Sequence, residues 1–298
     1  MSETSLESIA NTIRKDIITM LLAAGSGHSA GPLGMADVFT ALYFGDVVKH
    51  DPKRPDDPNR DRVILSNGHI CPVWYATLAH AGYFPVSELK TLRKLGSRLQ
   101  GHPHRGSLPG VENTGGPLGQ GLSQALGLAE AARLNADPKH PEGVTELHPP
   151  GVRSLFHVWC LLSDGEHDEG QTWEAILYAG KRRLSNLTAI LDRNHIQIDG
   201  TTEAIMPLEP LRAKYEAFNW HVLEVDGHNI PHIIDACREA KAIAEQPTLI
   251  IAHTIPGKGV DFMENDFVWH GKPPNKAEAR KALHELRTLG GKIRSEHE

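Results

Sequence analysis

The sequence predicts an α/β fold, a doubly wound parallel sheet with helices on both faces, on three observations. From about residue 155 onward, short apolar runs alternate with amphipathic stretches, as strands and helices do when each strand is followed by a crossover. The runs LFHVWCLL, LTAILD and PTLIIAHTI are mostly apolar, the pattern of buried strands. Each of the first two ends in a polar turn, SDGEHDEG and DRNHIQIDG.

Taken in order, residues 5–24 form a first amphipathic helix, with Leu6, Ile9, Ile13, Ile17, Met20 and Leu21 at helical spacing. Thr4 and Glu7 match a capping box at its start, and Gly25 stops it. MADVFTALYF (35–44) reads as a second helix, and the proline- and charge-rich KHDPKRPDDPNR (49–60) as a loop. RVILSNGH (62–69) is a short buried strand ending in a polar turn. GPLGQGLSQALGLAEAARLN (116–135) is a glycine turn opening into a helix. Residues 136–153 hold four prolines and read as a surface excursion. Then come strand LFHVWCLL, helix QTWEAILYAGKRR, strand LTAILD (187–192), strand WHVLEVD (220–226), helix IPHIIDACREAKAIAE and strand PTLIIAHTI (247–255).

Composition narrows the function classes. The 298 residues are enough for a sizeable core. A net charge of −6 argues against a nucleic-acid surface, which needs a basic face. No apolar stretch approaches the ~20 residues of a membrane span. The acidic start MSETSLES is unlike a targeting peptide, and Cys71, Cys160 and Cys237 lie far apart with no paired spacing. Together these predict a cytoplasmic protein. The 18 histidines, several beside glycine, hint at a site that handles phosphate, metal or protons.

In such a sheet, ligands bind beyond the carboxyl ends of the strands. Both polar turns leave strands of one βαβ unit, so Asp164 and Asn194 can converge there, with Gly165 allowing close backbone approach. A carboxylate, an amide oxygen and a backbone carbonyl make an oxygen cage suited to Mg²⁺ or Ca²⁺. The plain alternative, which spacing alone leaves open, is that Asp164 only caps the next helix and Asn194 only occupies a turn. Glu166 and Asp168 are expected to stay solvated or to cap that helix.

Asp164-Gly165 followed by Asn194 resembles the thiamine diphosphate motif, with Ser163 in place of the usual first glycine. GSGHSAGPLG (25–34), LSNGH (65–69), GHPH (101–104), TGGPLGQGLS (114–123), DGEHDEGQTWEA (164–175), DRNHIQIDG and FMENDFVWHGKPPN (262–275) stand in the order found in transketolases, and by them the chain resembles that family. The resemblance implies that Asp164, Asn194 and the Ile196 carbonyl hold a divalent ion, Mg²⁺ or else Ca²⁺ or Mn²⁺. It implies that Gly165, His69 and His270 reach the diphosphate of thiamine diphosphate, and that Gly116 and Leu118 touch its rings. His28, His102 and His270 would face substrate. Glu169 and Glu174 match carboxylates that link two active sites across a subunit interface. The chain departs from the family at GHSAGP, for the commoner GHPGGP, and at GHPH, where an acid often follows GHP.

The likeness runs from about residue 10 to 275 and covers only the N-terminal half of a transketolase. It therefore implies a diphosphate-binding domain over 1–275, a helical tail over 276–298, and a partner subunit carrying the pyrimidine-binding domain, in an α2β2 assembly acting on sugar phosphates. Two-carbon ketol transfer is the implied activity, on ordinary pentose-phosphate sugars or on a sulfonated or branched ketose. The α subunit of a thiamine-dependent dehydrogenase shares Asp-Gly…Asn, but GPLGQG, GHP and WHG follow the transketolase order.

Overall fold

A computed structural model describes residues 5–136 and 155–288. Five strands form one parallel sheet: β1 (Arg62–Leu65), β2 (Val158–Ser163), β3 (Leu187–Arg193), β6 (His221–Asp226) and β7 (Thr248–His253), in the order β1-β2-β3-β7-β6. A separate two-stranded hairpin pairs β4 (Ile196–Gln197) with β5 (Gly200–Thr201). Ser163 stands opposite Asp192 in the β2–β3 register, so the two polar turns leave the sheet side by side.

The helices are α1 (Leu6–Ala24), α2 (Ala30–Gly34), α3 (Ala36–Phe44), α4 (Cys71–His80), α5 (Gln120–Ala136), α6 (Gly170–Arg182), α7 (Thr202–Ile205), α8 (Leu211–Ala217), α9 (Ile230–Ala242) and α10 (Lys276–Thr288). Alternate strand residues serve opposite faces, as the pleat requires. Val63, Leu65, Trp159, Leu161, Ile190 and Ile250 join a core with α1, α3, α4, α9 and α10. Ile64, Cys160, Leu162, Ala189, Leu191 and Leu249 join a second core with α5, α6 and α8. The doubly covered sheet read from the apolar runs is the observed one.

Local detail adds to that reading. Thr4 lies outside the described residues, and Ser5 caps α1, its side chain accepting from the Ser8 N–H at 3.3 Å. Gly25 does end α1, at φ 66° in the left-handed region, donating to the Leu21 carbonyl. CPVWYATLAH, unassigned from sequence, is the helix α4. Residues 137–153 of the predicted excursion and 289–298 of the tail lie outside the described residues. Among the described residues no helix is long and apolar enough to cross a membrane.

Candidate active site

The carboxyl edge of the sheet opens into a cavity of about 310 Å³, lined by His28, His69, His102, His270, Asp164 and Asn194 among others. Gly116, Leu118, Gly165 and Ile196 also line it, so ten of the residues singled out by sequence converge on one space.

Each histidine arrives on its own connection. His28 lies between the glycine stop of α1 and α2. His69 sits in a single 3-10 turn, Gly68–Ile70, after β1. His102 is in the Gly/Pro loop, and His270 follows the turn Phe267–Trp269, whose start Asp266 caps by accepting from the Val268 N–H at 3.0 Å. The Ser29 hydroxyl donates to the Lys272 carbonyl at 2.6 Å and so ties the His28 and His270 segments together. The His28 ring centroid lies 5.0 Å from that of His69, 5.6 Å from His270 and 6.4 Å from His102.

Burial holds the His28 imidazole down to about 4, helped by His270, His102 and Arg93. Burial also holds His69, His102 and His270 below the ordinary histidine value. Near neutral pH each is an uncharged imidazole with one bare ring nitrogen. His28 Nδ1 is buried with no hydrogen-bond partner in the chain. An unpaired buried nitrogen is costly unless something else meets it.

The polar turns supply the opposite wall. One oxygen of Asp164, Oδ2, accepts from the His195 N–H at 2.7 Å and from Arg193 Nη1 at 3.2 Å, while Oδ1 accepts only from the neighbouring Gly165 N–H at 2.8 Å. Burial raises this carboxyl to about 6 against those donors. Asn194 is oriented from behind: its Nδ2 donates to Asp192 Oδ2 at 2.9 Å, and its Oδ1 accepts from the Ile196 N–H at 3.0 Å. Asp192, fully enclosed and also bonded by the Thr254 hydroxyl, is pushed up to about 7 by burial, with the Asp164 carboxylate adding to the effect. The glycine turn closes the floor: Gly116 has φ 140°, and a Cβ on Gly68 would come within 2.9 Å of the Gly116 nitrogen.

Glu166 corrects the expectation of a solvated or capping acid. It is fully buried. Its Oε1 accepts from the Gly119 N–H at 2.8 Å and from the Ser66 hydroxyl, and its Oε2 accepts from the Ser163 N–H at 3.1 Å. One carboxylate thus joins the end of β1, the glycine turn and the end of β2. Asp168 is exposed and accepts from Gln197 Nε2 at 3.0 Å. Glu169 and Glu174 are exposed on the α6 side and do not line the cavity. Sequence reasoning also passed over Asp192, Arg193, Asp199 and Ile198. The position of Asp192, two residues before Asn194, was a usable signal, since a carboxylate at a strand end beside an amide ligand can orient it.

The set fits a phosphorylated cofactor held through a hard cation: oxygen donors on one wall, neutral imidazoles on the other, and a glycine turn that lets backbone approach. An α/β domain with its ligand site at the carboxyl edge of a parallel sheet is the class these features define. The family model described as transketolase, thiamine diphosphate binding domain, matches residues 5–290, and the chain belongs to that family. It is 40% identical over 285 residues to the 6-deoxy-6-sulfo-D-fructose transketolase subunit of Clostridium sp. strain MSTE9, covering 96% of this chain and 97% of that one. It is 35% identical over 297 residues to an apulose-4-phosphate transketolase subunit of Phocaeicola vulgatus, covering 100% and 99%. The crystal structure of a transketolase variant from Pichia stipitis superposes with a TM-score of 0.84 at 34% identity, over 95% of this chain. The chain spans only 41% of that transketolase.

Proposed function

We propose that this chain is the diphosphate-binding subunit of a two-chain transketolase, moving a two-carbon ketol unit from a ketose phosphate to an aldose phosphate. The observation that carries the reading is the meeting of four histidines with Asp164, Asn194 and Ile196 in one cavity. Asp164 Oδ1, Asn194 Oδ1 and the Ile196 carbonyl would hold Mg²⁺, whose remaining positions go to water and phosphate oxygens.

Bound thiamine diphosphate supplies the electron sink for cleaving and forming the carbon–carbon bond. The chain's own part is to position and to move protons. His69 and His270 would donate to the diphosphate, with Gly165 N–H, and Gly116 and Leu118 would contact the rings. His28 and His102 would align the ketose hydroxyls, and an uncharged imidazole can take the hydroxyl proton released when that bond breaks. Support for a partner chain comes from the two relatives matched end to end, both named as subunits. Glu169 and Glu174, exposed on the α6 side, suit an interface in an α2β2 assembly. Three buried free cysteines suit a cytoplasmic setting. The substrates in those relatives' names favour a second reading, the same transfer on a sulfonated or branched ketose.

The test is ketol transfer from xylulose 5-phosphate to ribose 5-phosphate with thiamine diphosphate and Mg²⁺, by this chain alone and with the polypeptide that co-purifies with it. Activity is expected only in the mixture, and Asp164→Ala should abolish it together with Mg²⁺-dependent cofactor binding. Normal cofactor binding by that variant would refute the assigned cation site. Cofactor binding without transfer would direct the assay to sulfonated and branched ketoses.

A further inference from the structure

The geometry points to Arg193 as the positioning residue that sets the cation site, holding the Asp164 carboxylate and the hairpin carrying Ile196 in one arrangement. The inference rests on the reading of Asp164 as a cation ligand and goes beyond it by assigning a residue that touches neither cation nor substrate.

Arg193 is the last residue of β3 and only 1% exposed. A buried guanidinium needs partners for its donors, and here they come from three segments: the turn after β2, the start of α7 and the residues before α8. Nη1 donates to Asp164 Oδ2 at 3.2 Å and to the Thr202 hydroxyl at 2.9 Å. Nη2 donates to Glu203 Oε1 at 2.7 Å and to Glu209 Oε1 at 2.9 Å.

Two consequences follow for the oxygen donors. First, Asp164 Oδ2 is occupied by Arg193 and the His195 N–H, so only Oδ1 is left to face the cavity. Asp164 is thereby made a one-oxygen ligand with a fixed orientation, and a rotation that turned both oxygens to the cation would break two bonds. Second, the β4–β5 hairpin is closed by pairing of Ile196 with Thr201 and by the Thr202 N–H donating to the His195 carbonyl at 3.0 Å. Arg193 grips Thr202 and Glu203 just beyond that closure, so the same guanidinium fixes the base of the hairpin that presents Ile196, Gln197, Ile198 and Asp199 to the cavity. Asn194 lies between these two anchored points in the chain. Two of the three proposed oxygen donors, Asp164 and the Ile196 carbonyl, are therefore placed through one side chain, while Asp192 orients the third, Asn194. A lysine could keep the charge but could not span four acceptors with a planar fork.

The experiment uses the full chain in complex with its co-purifying partner. Thiamine diphosphate binding is measured by calorimetry across a Mg²⁺ series for wild type, Arg193→Lys and Arg193→Met, with the thermal midpoint of each recorded without cofactor. Half-saturating Mg²⁺ is expected to rise about tenfold or more in Arg193→Met and by less in Arg193→Lys, with full cofactor binding recovered at high Mg²⁺. A merely structural arginine would lower the midpoint without moving the Mg²⁺ requirement, and that result overturns the inference. If Arg193→Met does not fold, Glu203→Gln with Glu209→Gln releases the outer half of the clasp, and an unchanged Mg²⁺ requirement there overturns it equally. Wild-type cofactor binding that needs no divalent ion would instead refute the cation-site reading itself.

Discussion

Replacing Glu166 disturbs three segments at once, and the structure gives the size of the effect. Glu166→Ala leaves the Gly119 N–H, the Ser163 N–H and the Ser66 hydroxyl without their acceptor in a fully buried place. Each unsatisfied buried donor costs about 1–3 kcal/mol, and relaxation keeps the sum below simple addition. Removing the buried carboxylate also removes its own desolvation cost, so the net loss should be about 3–5 kcal/mol, a large share of a domain's stability. Glu166→Gln keeps the shape and can still accept from Ser66 and Gly119. Its amide nitrogen then faces the Ser163 N–H, donor against donor, and the loss should be about 1–3 kcal/mol.

Burial holds the Glu166 carboxyl above its ordinary value of 4.5. The folded chain therefore keeps this proton where the unfolded chain has lost it, and stability falls as pH rises through that window. Glu166→Gln should remove this share of the slope. Denaturant unfolding of the three proteins at several pH values is the assay, with cofactor affinity measured alongside because the Gly119 turn carries Gly116 and Leu118. If both variants unfold within about 0.5 kcal/mol of wild type, Glu166 does not join these segments as described.

His167 gives the opposite pH dependence. Its Nδ1 donates to the Ser163 carbonyl at 3.0 Å and its Nε2 accepts from the Tyr215 hydroxyl at 2.7 Å, while burial holds it down to about 4. The unfolded chain takes the proton first, so this group's contribution is lost as pH falls from about 6.5 to 4, by up to about 3 kcal/mol. The stability gap between wild type and His167→Gln should narrow over that interval, and a gap independent of pH would refute the neutral assignment. Gly121→Ala tests the closeness of α5 to β1: a Cβ there would overlap Ser66 and come within 2.5 Å of its Oγ. Overpacking costs about 1–3 kcal/mol, against about 1 kcal/mol gained from alanine in a helix, so a lower unfolding midpoint and weaker cofactor binding are expected. An unchanged midpoint would show that the contact does not limit the site.

β2, β3 and β7 were legible because burial on both faces makes them mostly apolar, and the polar turns after β2 and β3 marked the edge where a ligand could sit. The histidines were legible only as members of a family pattern, since nothing in GHS or NGH alone says that two imidazoles will meet 5.0 Å apart. What stayed hidden has physical reasons. CPVWYATLAH is buried nearly all round, so α4 shows no polar stripe and no helical period. The β4–β5 hairpin is two residues a side and shorter than any periodicity. Glu166 looked like its exposed neighbours Asp168 and Glu169, and its burial is decided by Ser66 and Gly119, far away in sequence. Arg193 likewise gains its meaning from acceptors on three different segments.

The cavity lining has an electrical consequence. Among the described residues it holds two carboxylates, Asp164 and Asp199, four imidazoles depressed below the usual histidine range, and neither lysine nor arginine. A diphosphate entering it would find no fixed positive side chain on this wall. Attraction would then come from the divalent ion at contact distance and from short-range N–H dipoles, both inside the ~8 Å over which physiological salt screens charge. Cofactor retention by this chain would follow the activity of free divalent ion. Chelation of the divalent ion would empty the site.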